Sequence, residues 1–282
     1  MTYLWAAIVI VVVAAAAIAG LLLVRRRAPE GGFFNDGDRA AGVFGVLATG
    51  FAIILGFVVF LAFESFDTSR AGAEQEAALV AQQFETAQFM PPAERQPLAD
   101  ALVCYARSVV HQEWPEMRTG SLKSTINPWS ADLFKALQGV HPKTPTEQAA
   151  FSKWIDQRTD REQGRQDRIH GAQGVIPLSV WVGLFLMAAV VFGFMLFFAD
   201  PTERWYVQAV QIGTVAVVIT TTLFIIRVLD SPFETGGGEL RPIAMERTLD
   251  ILDQTRKIVG MTGPLPCDQN GVRLAPEAAG AG

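Results

Sequence analysis

Four arginines, Arg158, Arg161, Arg165 and Arg168, recur at spacings of three, four and three. On a helix that spacing puts all four guanidinium groups on one face. A row of cations concentrates anions, and above a membrane pore it would form an anion-attracting collar. Asp156, Asp160, Glu162 and Asp167 are interspersed with the row. Pairing at i to i+3 and i to i+4 would neutralise part of the charge and leave a solvated, salt-bridged face. Spacing alone leaves both readings open.

A second group lies further along. Gln208, Gln211, Thr214 and Thr221 fall near one face of an apolar segment. Polar side chains inside a membrane span face protein or water, not lipid. Here they either hydrogen-bond to neighbouring helices or line a water-filled path. No apolar segment carries a charge at its centre, which argues against a proton-coupled pump. A weak-field pore constricted by Phe57 and Phe60 fits the same residues.

Signatures of catalysis are absent: there is no GxSxG, HExxH, P-loop or GxGxxG. His111, His141 and His170 lie in separate segments without metal-ligand spacing. Glu64, Asp67 and Glu74 read as a solvated helix face. No catalytic residue, metal or cofactor is expected, and the chain is not read as an enzyme. Cys104 and Cys267 have no CxxC partner. They are either two unrelated thiols or a disulfide tying the C-terminal segment to the central region. The bonded form requires an oxidising compartment.

Hydropathy sets the elements that must hold these residues. Of 282 residues, 50% are hydrophobic and only 18% charged, whereas a soluble domain carries about 25% charge. The mean hydropathy is +0.28. The net charge of -5, with no basic run beyond Arg25-Arg26-Arg27, argues against a nucleic-acid partner. The expected partner is the lipid bilayer.

The expected fold is all-α, with four transmembrane helices and a long helix running from the second span into a water-exposed helical domain. The first span covers about 3–24. Its basic cluster follows the apolar run, unlike a cleaved leader. The second covers about 43–63, and its helical period continues without a breaker to Phe89, before Pro91-Pro92. That predicts one helix of about 45 residues, roughly 70 Å long. Ala48, Ala52 and Gly56, like Ala16 and Gly20, put small residues at helical spacing. Such stripes permit close helix packing, within one subunit or between subunits.

Residues 67–174 read as the extramembrane helical domain. One helix runs from Pro92 to Trp114 with Leu98, Leu102, Tyr105 and Val109 facing a core, and Pro115 ends it. Asn127-Pro128 and Thr144-Pro145 open two more helices. No segment alternates with period two, so no strand is expected. Residues 175–229 hold the third and fourth spans, about 176–198 and 206–226, and their short loop forces an antiparallel hairpin. Residues 230–282 form a tail with one short helix at 242–259, carrying Ile243, Leu249 and Leu252, followed by a mobile end from Gly260. Arg25 to Arg27 predict a cytoplasmic end for the first span. The N-terminus, the large domain and the C-terminus are then extracytoplasmic, although Arg227, Arg241 and the arginine row pull the other way.

Three short motifs remain: Phe44-Gly45 opening the second span, Glu113-Trp114-Pro115, and Leu229-Asp230-Ser231-Pro232-Phe233. Asp230 follows a helix C-terminus, where carbonyls repel a carboxylate, so Arg227 or a domain arginine is its expected partner. Pro232 would stop the helix and Phe233 anchor at the membrane interface, while Trp114 would act as an aromatic plug. With the two-plus-two arrangement of spans around a helical domain, these motifs resemble the bacterial bestrophin-like domain family, over roughly Phe44 to Leu252. The family pattern after the fourth span has a basic residue where Ser231 stands here. The resemblance implies a homo-oligomeric ion channel of the bacterial plasma (inner) membrane, conducting inorganic ions, with anions favoured. The alternative from another class is a non-conducting scaffold or envelope sensor that binds a partner through its helical domain.

Overall fold

The structure, a computed structural model, describes residues 3–120 and 127–274. Among them every named element is a helix, and the one isolated β-bridge joins Cys267 to Arg273. In chain order these are α1 (Tyr3–Arg25), α2 (Gly37–Ala87), α3 (Pro92–Ser108), a π-helical turn (Val109–Glu113), α4 (Trp114–Arg118), α5 (Pro128–Gln138) and α6 (Pro145–His170). A 3₁₀ turn (Gly171–Gln173), α7 (Leu178–Leu196), α8 (Trp205–Leu229) and α9 (Ile243–Ile258) complete the chain.

Local chemistry accounts for most of the boundaries. α2 begins ahead of the apolar run because Asp36 Oδ1 accepts the Arg39 N–H at 3.0 Å, which satisfies one of the free donors of the first turn. It ends before Pro91-Pro92, which lack N–H donors. Asn127 caps α5 by accepting from Trp129 N, with Pro128 in the first turn. Thr144 and Glu147 form a reciprocal capping box on α6. The Lys143 and Thr144 N–H groups hold the Glu147 carboxyl below its ordinary range.

Pro115 does not end the helical path. The chain passes from α3 through the π-helical turn directly into α4. Proline removes one backbone donor, and a π-turn already displaces the usual i to i−4 ladder. The wider turn therefore accommodates Pro115 near the start of α4.

The chain forms two compact units, Met1–Phe66 with Gly174–Glu239, and Asp67–Gln173 with Leu240–Gly282. The first contains the apolar part of α2 with α1, α7 and α8, the four helices long and apolar enough to cross a membrane. α1 lies antiparallel to α8. Its Arg25 end donates to Gln208 Oε1 at 2.9 Å and to the Pro201 carbonyl at 3.0 Å, while its Tyr3 end rests on Gly237. Between these ends Ile18 packs on Gly213. Phe51, Leu55, Val58 and Ala62 of α2 meet Leu184, Ala188 and Val191 of α7, and Ile219 and Ile226 of α8, in one core. Spacings of three, four and seven put each set on a single helix face.

In the second unit, α3, α5, α6 and α9 assemble with the last part of α2. Leu98, Leu102, Tyr105 and Val109 are all fully buried. Gly72 of α2 and Gly164 of α6 meet backbone to backbone. On α9 the buried face is Met245, Thr248 and Leu252, and Ile243 is exposed instead.

The expectation of a mobile end from Gly260 fails for its described part. Cys104 and Cys267 form a disulfide. Trp129 Nε1 donates to the Gly271 carbonyl at 2.8 Å, Gln112 Nε2 to the Asn270 carbonyl at 2.9 Å and Arg107 to the Asp268 carbonyl at 3.1 Å. Gly271 adopts φ +75° and lies so close to Ser108 N that a Cβ there would sit at 2.4 Å. A glycine-containing chain segment is ordered here because the bundle supplies donors for its carbonyls. The remainder of that end, 275–282, lies outside the described residues.

Candidate functional site

The densest polar assembly is in the second unit, and it is buried. α2 carries Glu76 and Gln83 on the same face as Gly72, Val80 and Ala87, so the period that buries the apolar residues buries these polar ones too. α6 presents Trp154, Gln157, Arg161, Gly164 and Arg168 at spacings of three and four. The Gly72–Gly164 approach brings the two helices close enough for their side chains to bond directly.

Arg168, with no exposed surface, is the hub. Its Nε donates to Glu76 Oε2 at 2.5 Å, and its Nη2 to Glu113 Oε2 at 2.6 Å and Glu76 Oε1 at 3.1 Å. Glu113 Oε1 also accepts from Asn127 at 2.9 Å and Arg165 at 3.1 Å. The Tyr105 hydroxyl donates to Glu76. Burial would raise the Glu113 pKa, but Arg168 and Arg165 outweigh it and hold the carboxyl below its ordinary range. Burial, then the Glu76 charge, pushes the Tyr105 phenol well up. Burial disfavours the Arg168 cation, yet Glu76 and Glu113 raise its pKa above that of an ordinary arginine. These three shifts run away from neutral pH: the Glu113 carboxyl down, the Tyr105 phenol and the Arg168 guanidinium up.

Two of the four arginines are not presented to solvent as a collar would require. Arg161 and Arg168 are 1% and 0% exposed. Arg165 bonds to Glu113 and pairs with Glu162 at 3.8 Å. Arg158 lies over the Phe134 ring, 4.9 Å from its centroid. Arg168 and Arg165 turn toward the bundle because Glu76 and Glu113, far away in sequence, supply the counter-charge. Neither residue is marked by local spacing. The available signal was a glutamate and a glutamine set among Gly72, Leu79, Val80 and Phe84 on an apolar face.

The other motif residues have structural partners. Trp114 Nε1 donates to the Leu240 carbonyl at 3.0 Å, and Arg168 lies 5.5 Å from its ring centroid. Among the described residues Asp230 pairs with no arginine: its Oδ1 accepts the Val175 and Ile176 N–H groups at 2.8 and 2.9 Å. Free donors just ahead of α7 offer a carboxylate more than the carbonyl-rich end of α8 does. Arg227 turns instead to Ser231 and to Glu234, the latter at 2.5 Å. Phe233 is 1% exposed, so its ring is covered by protein and not presented to a membrane interface. Pro232 is also buried and follows the end of α8 at Leu229.

On the spans, Gln208 is 4% exposed and bonded to Arg25, Glu203 and the Asp200 carbonyl. Gln211 and Thr214 are exposed, line a cavity of about 700 Å³ with Phe44 and Phe198, and Thr221 is half-buried. Phe57 and Phe60 are 66% and 61% exposed. Of the histidines, His111, His141 and His170 are all exposed, and among the described residues no His, Cys, Asp and Glu cluster could hold a metal ion.

The helical architecture matches solved structures. Two point variants of a bacterial bestrophin homologue from Klebsiella pneumoniae superpose with TM-scores of 0.63 and 0.61, at 15% and 14% identity. They cover 87% and 90% of this chain, which covers 99% of each of theirs. At that identity the likeness shows the fold. No curated protein sequence matches the chain. The profile of the bestrophin-like domain does match, over residues 10–238, a stretch that takes in most of the first span, the other three spans and most of the helical bundle. This chain therefore belongs to the bestrophin-like domain family.

Proposed function

We propose that this chain is the subunit of an oligomeric, anion-conducting channel of the bacterial plasma membrane. The observation that carries the reading is family membership across residues 10–238, since bestrophins are ion channels. The first unit supports it. Phe57 and Phe60 are left uncovered on α2, and Gly45, Gly50 and Gly56 border open space. A helix face rich in small and apolar residues, bare in the single chain, suits further copies around a common axis. Phenylalanine rings carry positive edges, and such edges favour a passing anion in a dewetted constriction. Phe57 and Phe60 are assigned to the conducting path on that ground, with Gln211, Thr214 and Thr221 as further lining. Gln208 is left out, because its amide is already committed.

The N-terminus, the helical bundle and the C-terminus are assigned to the extracytoplasmic side, and Arg25 to Arg27 to the cytoplasmic side. The Cys104–Cys267 bond supports that orientation, because disulfides persist in oxidising compartments.

Purified protein in planar bilayers should carry anion-selective currents, and Phe57→Ala or Phe60→Ala should alter the conductance. Electrically silent bilayers with verified incorporation would overturn the reading and favour a scaffold or envelope sensor.

A further inference from the structure

Two buried arginines on α6 are satisfied very differently. Arg168 bonds to two carboxylates and to the Met117 sulfur. Arg161, 1% exposed, makes one hydrogen bond among the described residues, from Nη1 to Gln83 Oε1 at 2.7 Å. Its guanidinium carbon lies 4.7 Å from the Tyr105 ring centroid. Among the described residues no carboxylate is within the 4.0 Å ion-pair distance of it. Its Nε–H is buried with no acceptor among the described residues.

The neighbouring charges are already engaged. Glu76 accepts from Arg168 and Tyr105, and Glu113 from Arg168, Arg165 and Asn127. Asp156 and Asp160 are on the exposed flank of α6, and Glu162 pairs with Arg165. One turn before Arg161 on the same face, the buried Gln157 Oε1 also lacks a partner. Residues at i and i+4 are neighbours on a helix, and a side-chain amide can turn over to present its NH₂ at the same position. Two buried groups, adjacent along one face, are therefore free to point donors at a shared guest.

A guanidinium removed from water without a counter-charge is costly. The Tyr105 ring face offsets part of that cost. An ordered water would satisfy the Nε–H but leave the charge uncompensated. A divalent oxyanion would reverse the imbalance instead of removing it. We propose that Arg161, with Gln157, holds one small monovalent inorganic anion of the chloride type as a resident counter-ion inside the second unit. The proposal does not use the conduction path, so it stands or falls independently of channel activity.

The test uses the purified full chain, exchanged between chloride and gluconate at fixed ionic strength. Chloride should raise the unfolding temperature saturably, by about 5 °C. Arg161→Gln should abolish the response, and Arg158→Gln, changed at an arginine stacked on Phe134, should retain it. Crystals of the unaltered protein grown in bromide should show an anomalous peak beside Arg161 Nε, which decides the matter even where Arg161→Gln fails to fold. An unfolding temperature indifferent to chloride, or density at Arg161 without bromide signal, overturns the proposal.

Discussion

Gly72 on α2 and Gly164 on α6 pack with no space for a side chain on either. A Cβ on Gly72 would sit 2.6 Å from both Arg168 N and the Gly164 carbonyl, and a Cβ on Gly164 would sit 2.9 Å from Glu76 N. All of these are backbone atoms, so neither helix can yield by turning a rotamer. This close approach lets Arg168 reach Glu76 directly.

Gly164→Ala is accordingly expected to destabilise the protein by about 2–3 kcal/mol, the upper end for overpacking in a core. Thermal unfolding of the purified protein measures it. Gly56→Ala, at a site with nothing within 4 Å, should leave the unfolding temperature of detergent-solubilised single chains nearly unchanged.

Removing one side of the buried ion cluster leaves the other charge stranded. Glu113→Gln is expected to cost about 3–5 kcal/mol. The cluster also predicts a pH dependence. Despite burial, Arg168 and Arg165 hold the folded-state Glu113 pKa below its ordinary 4.5. Its contribution is therefore complete above pH 4.5 and is lost as pH falls through the lower folded-state value. Urea unfolding between pH 7 and pH 3 should show stability dropping with acid, with a shallower drop in Glu113→Gln.

Asp230 holds the entry to α7 through two backbone donors. Asp230→Ala should cost about 1–2 kcal/mol, as for loss of a helix N-cap. Asp230→Asn, which keeps an acceptor oxygen, should recover much of it. Arg227→Gln should not reproduce the loss, because Arg227 bonds elsewhere. A loss on Arg227→Gln equal to that of Asp230→Ala would refute this assignment.

The Cys104–Cys267 bond closes a sequence separation of 163 residues. Cys267→Ser should lower stability by about 2–5 kcal/mol, chiefly by freeing the unfolded chain. Reductant should lower the unfolding temperature of the unaltered protein and leave Cys267→Ser unaffected. Limited proteolysis should then cut first between Gly260 and Leu274, where the strap loses its covalent anchor.

Much of the architecture was legible in residue order, because the forces involved are local. Four long apolar runs require helices once lipid leaves backbone groups no other partner. Asn127-Pro128 and Thr144-Pro145-Thr146-Glu147 mark helix starts through donors only a few residues away. The motif around Asp230 and the family resemblance were visible on the same terms.

Which polar residues face inward was decided only by tertiary packing. Arg161 and Arg168 carry a helical spacing that fits a solvated face as well as a buried one. The counter-charges that draw Arg168 inward, Glu76 and Glu113, lie 92 and 55 positions away in the chain. Asp230 likewise meets Val175 and Ile176 across 55 and 54 positions. Periodicity reports which side chains share a face, but the burial of a charge depends on a partner that only the folded chain brings within hydrogen-bond reach.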